Sequence, residues 1–246
     1  MKKLSKKSST RIQIVATHEG MIDDKAIQPR PANKFIPSWW KSVPLYADTE
    51  YFSSIRKTKT VKTCPSFAHY FSKGFVVPAW CDMTITFNEE SQEFYIATGN
   101  LSSPYLIDLH PKNQFLEFAD YSPFNIKTTA VFKLICPWRI ITPNGWSVLQ
   151  LPMFYENNRE WSIMPGIIDT DVHHEINQQL AYTGSMKEIF IAKGEPLALY
   201  IPFKRNKEVY EIRQMSKKDN RRFAALRLKY ASSWRNTYLN LERKDV

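Results

Sequence analysis

Asp82-Met-Thr-Ile-Thr-Phe-Asn88 is the stretch that decides the fold class. Met83, Ile85 and Phe87 alternate with Asp82, Thr84 and Thr86, which puts an apolar and a polar face on one extended strand. Asn88 to Ser91 is a polar turn, and Phe94 and Ile96 continue the alternation in a returning strand. The pattern predicts an antiparallel hairpin with one solvated face.

Downstream, the apolar run 130–142 ends in Pro143-Asn144-Gly145 and resumes at Trp146–Leu151. Asn-Gly between two apolar segments predicts a second hairpin, because both residues tolerate positive φ. Further strands are expected at 161–168, 175–182, 187–192, 197–203 and 207–214. Ile176, Gln178, Leu180 and Tyr182 share one face of the second of these. Strands at such spacing indicate a sandwich or barrel. The stretch 99–129 is polar and broken by proline, and reads as a long loop.

Upstream, Pro65 and Gly74 sit where a short helix starts and stops, so a helix is expected at about 65–73, with Phe67, Tyr70 and Phe71 on one face. Residues 28–48 hold four prolines and the pair Trp39-Trp40. Proline fixes φ and removes donors, so this segment reads as an irregular arm wrapped on the protein's own sheet.

The C-terminal segment changes period. Phe223, Leu226, Tyr230, Trp234, Tyr238 and Leu241 fall on one stripe of a helix at about 216–243. Ser216 and Asp219 have the spacing of a capping box. Lys217, Lys218, Arg221, Arg222, Lys229 and Arg235 fall away from the stripe. The expected fold is therefore mainly β: an antiparallel β-sandwich or jelly-roll-like domain with one short and one long amphipathic helix. The expected organisation is a basic tail at 1–11, a β-rich domain at 12–214 that includes the 28–48 arm, and the basic helix at 215–246.

The 246 residues are 43% hydrophobic and 14% aromatic, the composition of a packed chain and not a disordered one. The net charge of +10 is placed unevenly. Residues 1–11 carry +5 and 203–246 carry +8, which leaves −3 for 12–202. Basic ends on a slightly acidic body suit an acidic partner, nucleic-acid backbone or viral structural protein, and they equally suit plain solvation. No apolar run reaches the roughly 18 residues of a membrane span. No signal-peptide pattern follows the basic start, so the expected location is the host cytoplasm or a virion. A homo-oligomer is compatible with all of this.

Chemistry is sparse. The seven glycines stand at least ten residues apart, which excludes a G-x-G-x-x-G fingerprint and a phosphate-binding P-loop. Cys64, Cys81 and Cys136 form no C-x-x-C pair and read as structural thiols in a reducing compartment. His173 and Glu175 form an H-x-E within Asp169–Glu175, half of a two-histidine, one-carboxylate iron site on a β scaffold. The distal histidine is missing after residue 174, and His18, His69 and His110 lie upstream. A polar turn explains the same residues. Trp80, Trp138 and Trp146 could stack on a sugar, although alternation places them in a core.

An ordered set of short motifs carries one resemblance. These are Pro37-x-Trp39, Val61-Lys62-x-Cys64-Pro65, Gly74-Phe75, Pro78-x-Trp80, Pro137-Trp138, Thr142 to Trp146, Pro165 to Asp171, Gly194-Glu195-Pro196 and Ile201-Pro202-Phe203. Over about residues 30–205 the chain resembles a family of tailed-bacteriophage and bacterial proteins that has no established activity. The resemblance implies a viral origin and a β-rich fold, and it transfers no catalytic residue. Together these readings predict a non-enzymatic phage-type protein, a virion component or accessory factor, that acts through its basic ends without a cofactor. The alternative is a cupin-like non-haem iron oxygenase using His173 and Glu175.

Overall fold

The computed structural model describes residues 10–51, 54–88, 90–91, 93–99, 107–111, 114, 130–155, 160–182 and 187–242, with backbone alone at 49–51, 54–56 and 230–242. The strands among them are β1 (Gln13–Ala16), β2 (Arg30–Pro31), β3 (Tyr46–Tyr51), β4 (Ser54–Lys59), β5 (Phe75–Pro78), β6 (Met83–Asn88), β7 (Glu93–Thr98) and β8 (Ile107–Leu109). They continue with β9 (Ala130–Leu134), β10 (Trp138–Ile141), β11 (Trp146–Pro152), β12 (Trp161–Ile163), β13 (Gly166–Ile168), β14 (Gln178–Tyr182), β15 (Glu188–Ile191) and β16 (Pro196–Lys204). The α-helices are α1 (Ser38–Ser42), α2 (Pro65–Ser72) and α3 (Lys217–Glu242). The fold is mainly β, and every strand pair is antiparallel.

The chain divides into two compact units, Met1–Pro37 with Phe71–Arg205, and Ser38–Tyr70 with Asn206–Val246. The first holds a five-stranded sheet ordered β13-β11-β16-β5-β2, a four-stranded sheet β12-β14-β9-β8, a three-stranded sheet β15-β6-β7 and the pair β1-β10. Their inner faces share one apolar core. Phe75, Val77, Val148, Ala198 and Tyr200 come from the first sheet, Phe132, Leu134, Ile163 and Leu180 from the second, and Met83, Ile85, Ile189 and Ile191 from the third. Trp80 and Trp138 are buried in this core, which removes them as exposed stacking platforms.

The β6–β7 hairpin forms with Met83 opposite Thr98 and Asn88 opposite Glu93. Asn88 caps its turn, its side-chain oxygen accepting from the amides of Glu90 and Ser91 at 2.8 and 3.1 Å. Strand β14 buries Gln178, Leu180 and Tyr182, and Ile176 just before it, as the alternation predicts.

Three local expectations need correction. The Asn144-Gly145 turn forms, with the Trp146 amide bonded to the Pro143 carbonyl at 3.1 Å, but β10 and β11 do not pair across it. Strand β10 is already engaged: β1 lies on one edge, and on the other the Ile140 amide meets the His174 carbonyl at 3.0 Å. The turn is thus a corner between sheets. The run 161–168 divides into β12 and β13, which join different sheets. No strand forms at 207–214, which is exposed and unpaired among the described residues. The 99–129 stretch contributes β8, and most of the rest lies outside the described residues, as does most of the 1–11 tail.

In the second unit β3 and β4 pair from Tyr46–Lys59 to Tyr51–Ser54. Trp40 stacks on Phe67 at 5.4 Å between ring centroids, and Trp39 meets Trp40 edge-on at 5.7 Å. At the start of α3 the capping box is complete. The Ser216 hydroxyl accepts from the Asp219 amide at 3.2 Å, and the Asp219 carboxylate accepts from the Ser216 amide at 2.9 Å. Arg213 adds an ion pair to Asp219 at 2.5 Å. No helix among the described residues is long and apolar enough to cross a membrane.

Candidate functional site

The polar side chains converge at one end of the five-stranded sheet. Strand β11 runs between β13 and β16, with Val148 opposite Ile168 on one side and Ser147 opposite Phe203 on the other. The chain leaving β13 enters Asp169-Thr170-Asp171, and the chain leaving β16 enters Arg205. Sheet order therefore delivers two carboxylates and a guanidinium to opposite flanks of Ser147.

Arg205 grips Asp171 with both ends of its fork, Nη1 to Oδ1 at 2.9 Å and Nη2 to Oδ2 at 2.5 Å. The same Nη1 meets Asp169 Oδ1 and Ser147 Oγ, each at 2.9 Å. The Ser147 hydroxyl donates to Asp169 Oδ1 at 2.6 Å, and the Gly145 amide donates to Asp171 Oδ2 at 2.8 Å. Beneath them the buried hydroxyls of Thr142 and Thr170 meet at 2.8 Å, and Thr142 donates onward to the Trp146 carbonyl at 3.1 Å.

Both carboxyls lie below the ordinary carboxylate range. For Asp169 the Ser147 hydrogen bond is the main cause, followed among stabilising contacts by Arg205; for Asp171 it is Arg205 and then the Gly145 amide. Exposure separates their roles. The Asp171 side chain is 2% exposed and that of Asp169 is 52% exposed. Asp171 is therefore the anchor for Arg205, while Asp169 presents an ionised carboxylate to whatever approaches. Its Oδ1 is held, and its Oδ2 accepts no hydrogen bond among the described residues. A carboxylate fixed at one oxygen and open at the other can orient a water or accept a ligand's proton.

The expected iron site does not assemble. His173 is exposed, and Glu175 accepts from Arg139 at 2.9 Å and from Asn177 at 3.3 Å. His174 bonds through Nδ1 to the Thr170 carbonyl at 2.9 Å. No group of three histidine, cysteine or carboxylate side chains is placed to hold a metal among the described residues. Along α3, Lys217, Lys218, Arg221, Arg222 and Lys229 are exposed, and the side chain of Arg235 lies outside the described residues.

The cysteines supply no nucleophile in the core. Burial pushes the Cys136 thiol up to about 12, and burial with the nearby Asp82 charge pushes Cys81 up to about 11. In a titration of the native chain with an aromatic disulfide reagent, one thiol, Cys64, should react promptly. Cys81 and Cys136 should wait for denaturant; three fast equivalents would show a looser core.

No family model matches the chain, and no curated protein matches it. Similar solved structures are dUTPases. The native dUTPase of EIAV has a TM-score of 0.32 at 14% identity, over 59% of this chain and 87% of that one. A mutant dUTPase of Staphylococcus bacteriophage 80alpha with dUpNHpp has a TM-score of 0.37 at 11% identity, over 85% and 94%. Another mutant of that phage enzyme has a TM-score of 0.27 at 15% identity, over 36% and 74%. At this distance the likeness assigns no activity or substrate to this chain. The expectation of a non-enzymatic protein working through its basic ends finds no counterpart among these structures, all of them dUTPases. The oxygenase alternative falls with its ligands.

Sequence reading passed over Ser147 and Arg205 altogether and met Asp169 and Asp171 only within a motif. The available signal was their position: each stands at or just beyond the end of an apolar strand.

Proposed function

We propose that the chain is a hydrolase in which the Asp169 carboxylate orients the attacking water. The observation that carries this reading is the asymmetry of the two carboxylates, Asp171 covered and locked on Arg205, Asp169 half exposed and open at one oxygen. Ser147 and Arg205 are positioning residues, since they hold Asp169 in place and keep it ionised at neutral pH.

A carboxylate held below its ordinary range is a weak base, which makes it a poor choice for reactions that need a strong one. Phosphoryl transfer asks less. Its loose transition state depends on positioning and charge, and a residue that merely orients water suffices. Phosphoanhydrides of nucleotides are therefore the first substrate class to offer, with and without a divalent cation.

The test is release of phosphate or pyrophosphate from a panel of nucleoside triphosphates by the full chain and by Asp169→Asn. The amide keeps the size and can still accept from Ser147, so the fold should survive. Loss of turnover by about 10²- to 10⁴-fold is expected if Asp169 handles the water. A wild-type chain inert on the whole panel, or an Asp169→Asn chain of full activity, would overturn the reading.

A further inference from the structure

We propose that the core of the first unit binds a water molecule between the Gln178 amide and the Tyr200 hydroxyl, completing a polar chain that ties two sheets together. Gln150, Gln178 and Tyr200 are each at most 2% exposed. Tyr200 on β16 donates its hydroxyl hydrogen to Gln150 Oε1 on neighbouring β11 at 2.8 Å. Gln150 Nε2 donates in turn to the carbonyl of Met164 at 2.9 Å, just past β12 in the four-stranded sheet. The Met164 amide then bonds to the Gln179 carbonyl on β14 at 2.8 Å. Three hydrogen bonds thus lead from the five-stranded sheet to within one residue of Gln178.

Gln178 is where the chain breaks. Its side-chain oxygen and nitrogen are both buried, and neither has a hydrogen-bond partner among the described residues. The strand holds it there, since it pairs with Leu134 of β9 and shares its face with buried Leu180 and Tyr182. Burial, and then the nearby Cys136, push the Tyr200 hydroxyl well above its ordinary range, while the Gln178 amide pulls the other way. That pull places the amide beside the Tyr200 oxygen. The oxygen has given its one hydrogen to Gln150, and it keeps lone pairs that can accept.

The chemistry of the gap selects the ligand. It must accept from Gln178 Nε2 and donate to the Tyr200 oxygen at once, between two neutral groups. Water does both, whereas an ion would bring a charge that neither group balances. Buried polar groups without a protein partner are met by ordered water in this way, because leaving one unmade costs more than a hydrogen bond gains.

The experiment is chemical unfolding of the full chain and of Gln178→Met, which removes the amide at similar volume. With water bound, the unfolding equilibrium constant should rise about 10-fold or more, because the change strands the water's other partner. A bare amide predicts the opposite, since an apolar side chain of like size would relieve the core. Tyr200→Phe approaches the site from the other side. Combined with Gln178→Met it should cost less than the two separate losses added, because one water serves both groups. A crystal structure should show that water within about 3.2 Å of Gln178 Nε2 and Tyr200 Oη. A Gln178→Met chain at least as stable as the wild type overturns the proposal, and so do losses that simply add. A crystal structure in which the two side chains meet directly, with no water between them, overturns it as well.

Discussion

Gly74→Ala is expected to destabilise the first unit by about 4 kcal/mol or more, the range reserved for mutations with a named structural cause. Two causes coincide there. Gly74 has φ +75°, where any L side chain is strained by about 1–2 kcal/mol. A Cβ built on it would also sit 2.0 Å from the Tyr200 carbonyl oxygen and 3.2 Å from the Ile201 Cα. These are backbone atoms of β16, which is paired on both edges and cannot retreat. Gly145→Ala is the control. It has a similar φ of +78° but meets nothing within 4 Å, so it should cost only the conformational strain. Melting curves of both variants decide the matter. Equal losses would mean that close approach to β16 is not what Gly74 provides.

Arg205→Ala should lower the melting temperature by several degrees at neutral pH, and the deficit should shrink in acid. With the guanidinium removed, Asp171 loses the main partner of its charge and keeps the backbone amides of Gly145 and of its own residue. In the wild type both carboxyls titrate below their ordinary value of 3.8, so the clamp's stability is present above that value. It is lost as pH falls through the lower folded values, where protonation removes the charge that Arg205 answers. The two melting curves should therefore draw together below about pH 4. A gap independent of pH would reduce Arg205 to a packing residue.

Local pattern was legible in the chain and long-range pairing was not. Met83, Ile85 and Phe87 declared their strand because alternation is written within seven residues. Ser216 and Asp219 declared the start of α3 because a capping box is a local device. Val209 and Ile212 gave the apolar signal of a strand at 207–214, yet a strand needs a neighbour, and that neighbour is missing among the described residues. Asn144-Gly145 gave the turn correctly, but which edges of β10 were already taken depends on β1 and on residues near His174. The clamp was hidden for the same reason. Ser147, Asp169 and Arg205 are far apart in sequence, and only the order β13-β11-β16 makes them neighbours.

The pairing of β1 with β10 delays the folding of this protein. Gln13 meets Ile141 and Ala16 meets Trp138, so β1 waits for a partner made 122 to 128 residues later. Strand β5 waits almost as long for β16. Such distant closures carry a large loop entropy before any contact rewards them, and they slow the search. Until β16 emerges, the apolar faces of β5 and β11 lack the strand that lies between them, and the nascent chain depends on escaping aggregation through that interval.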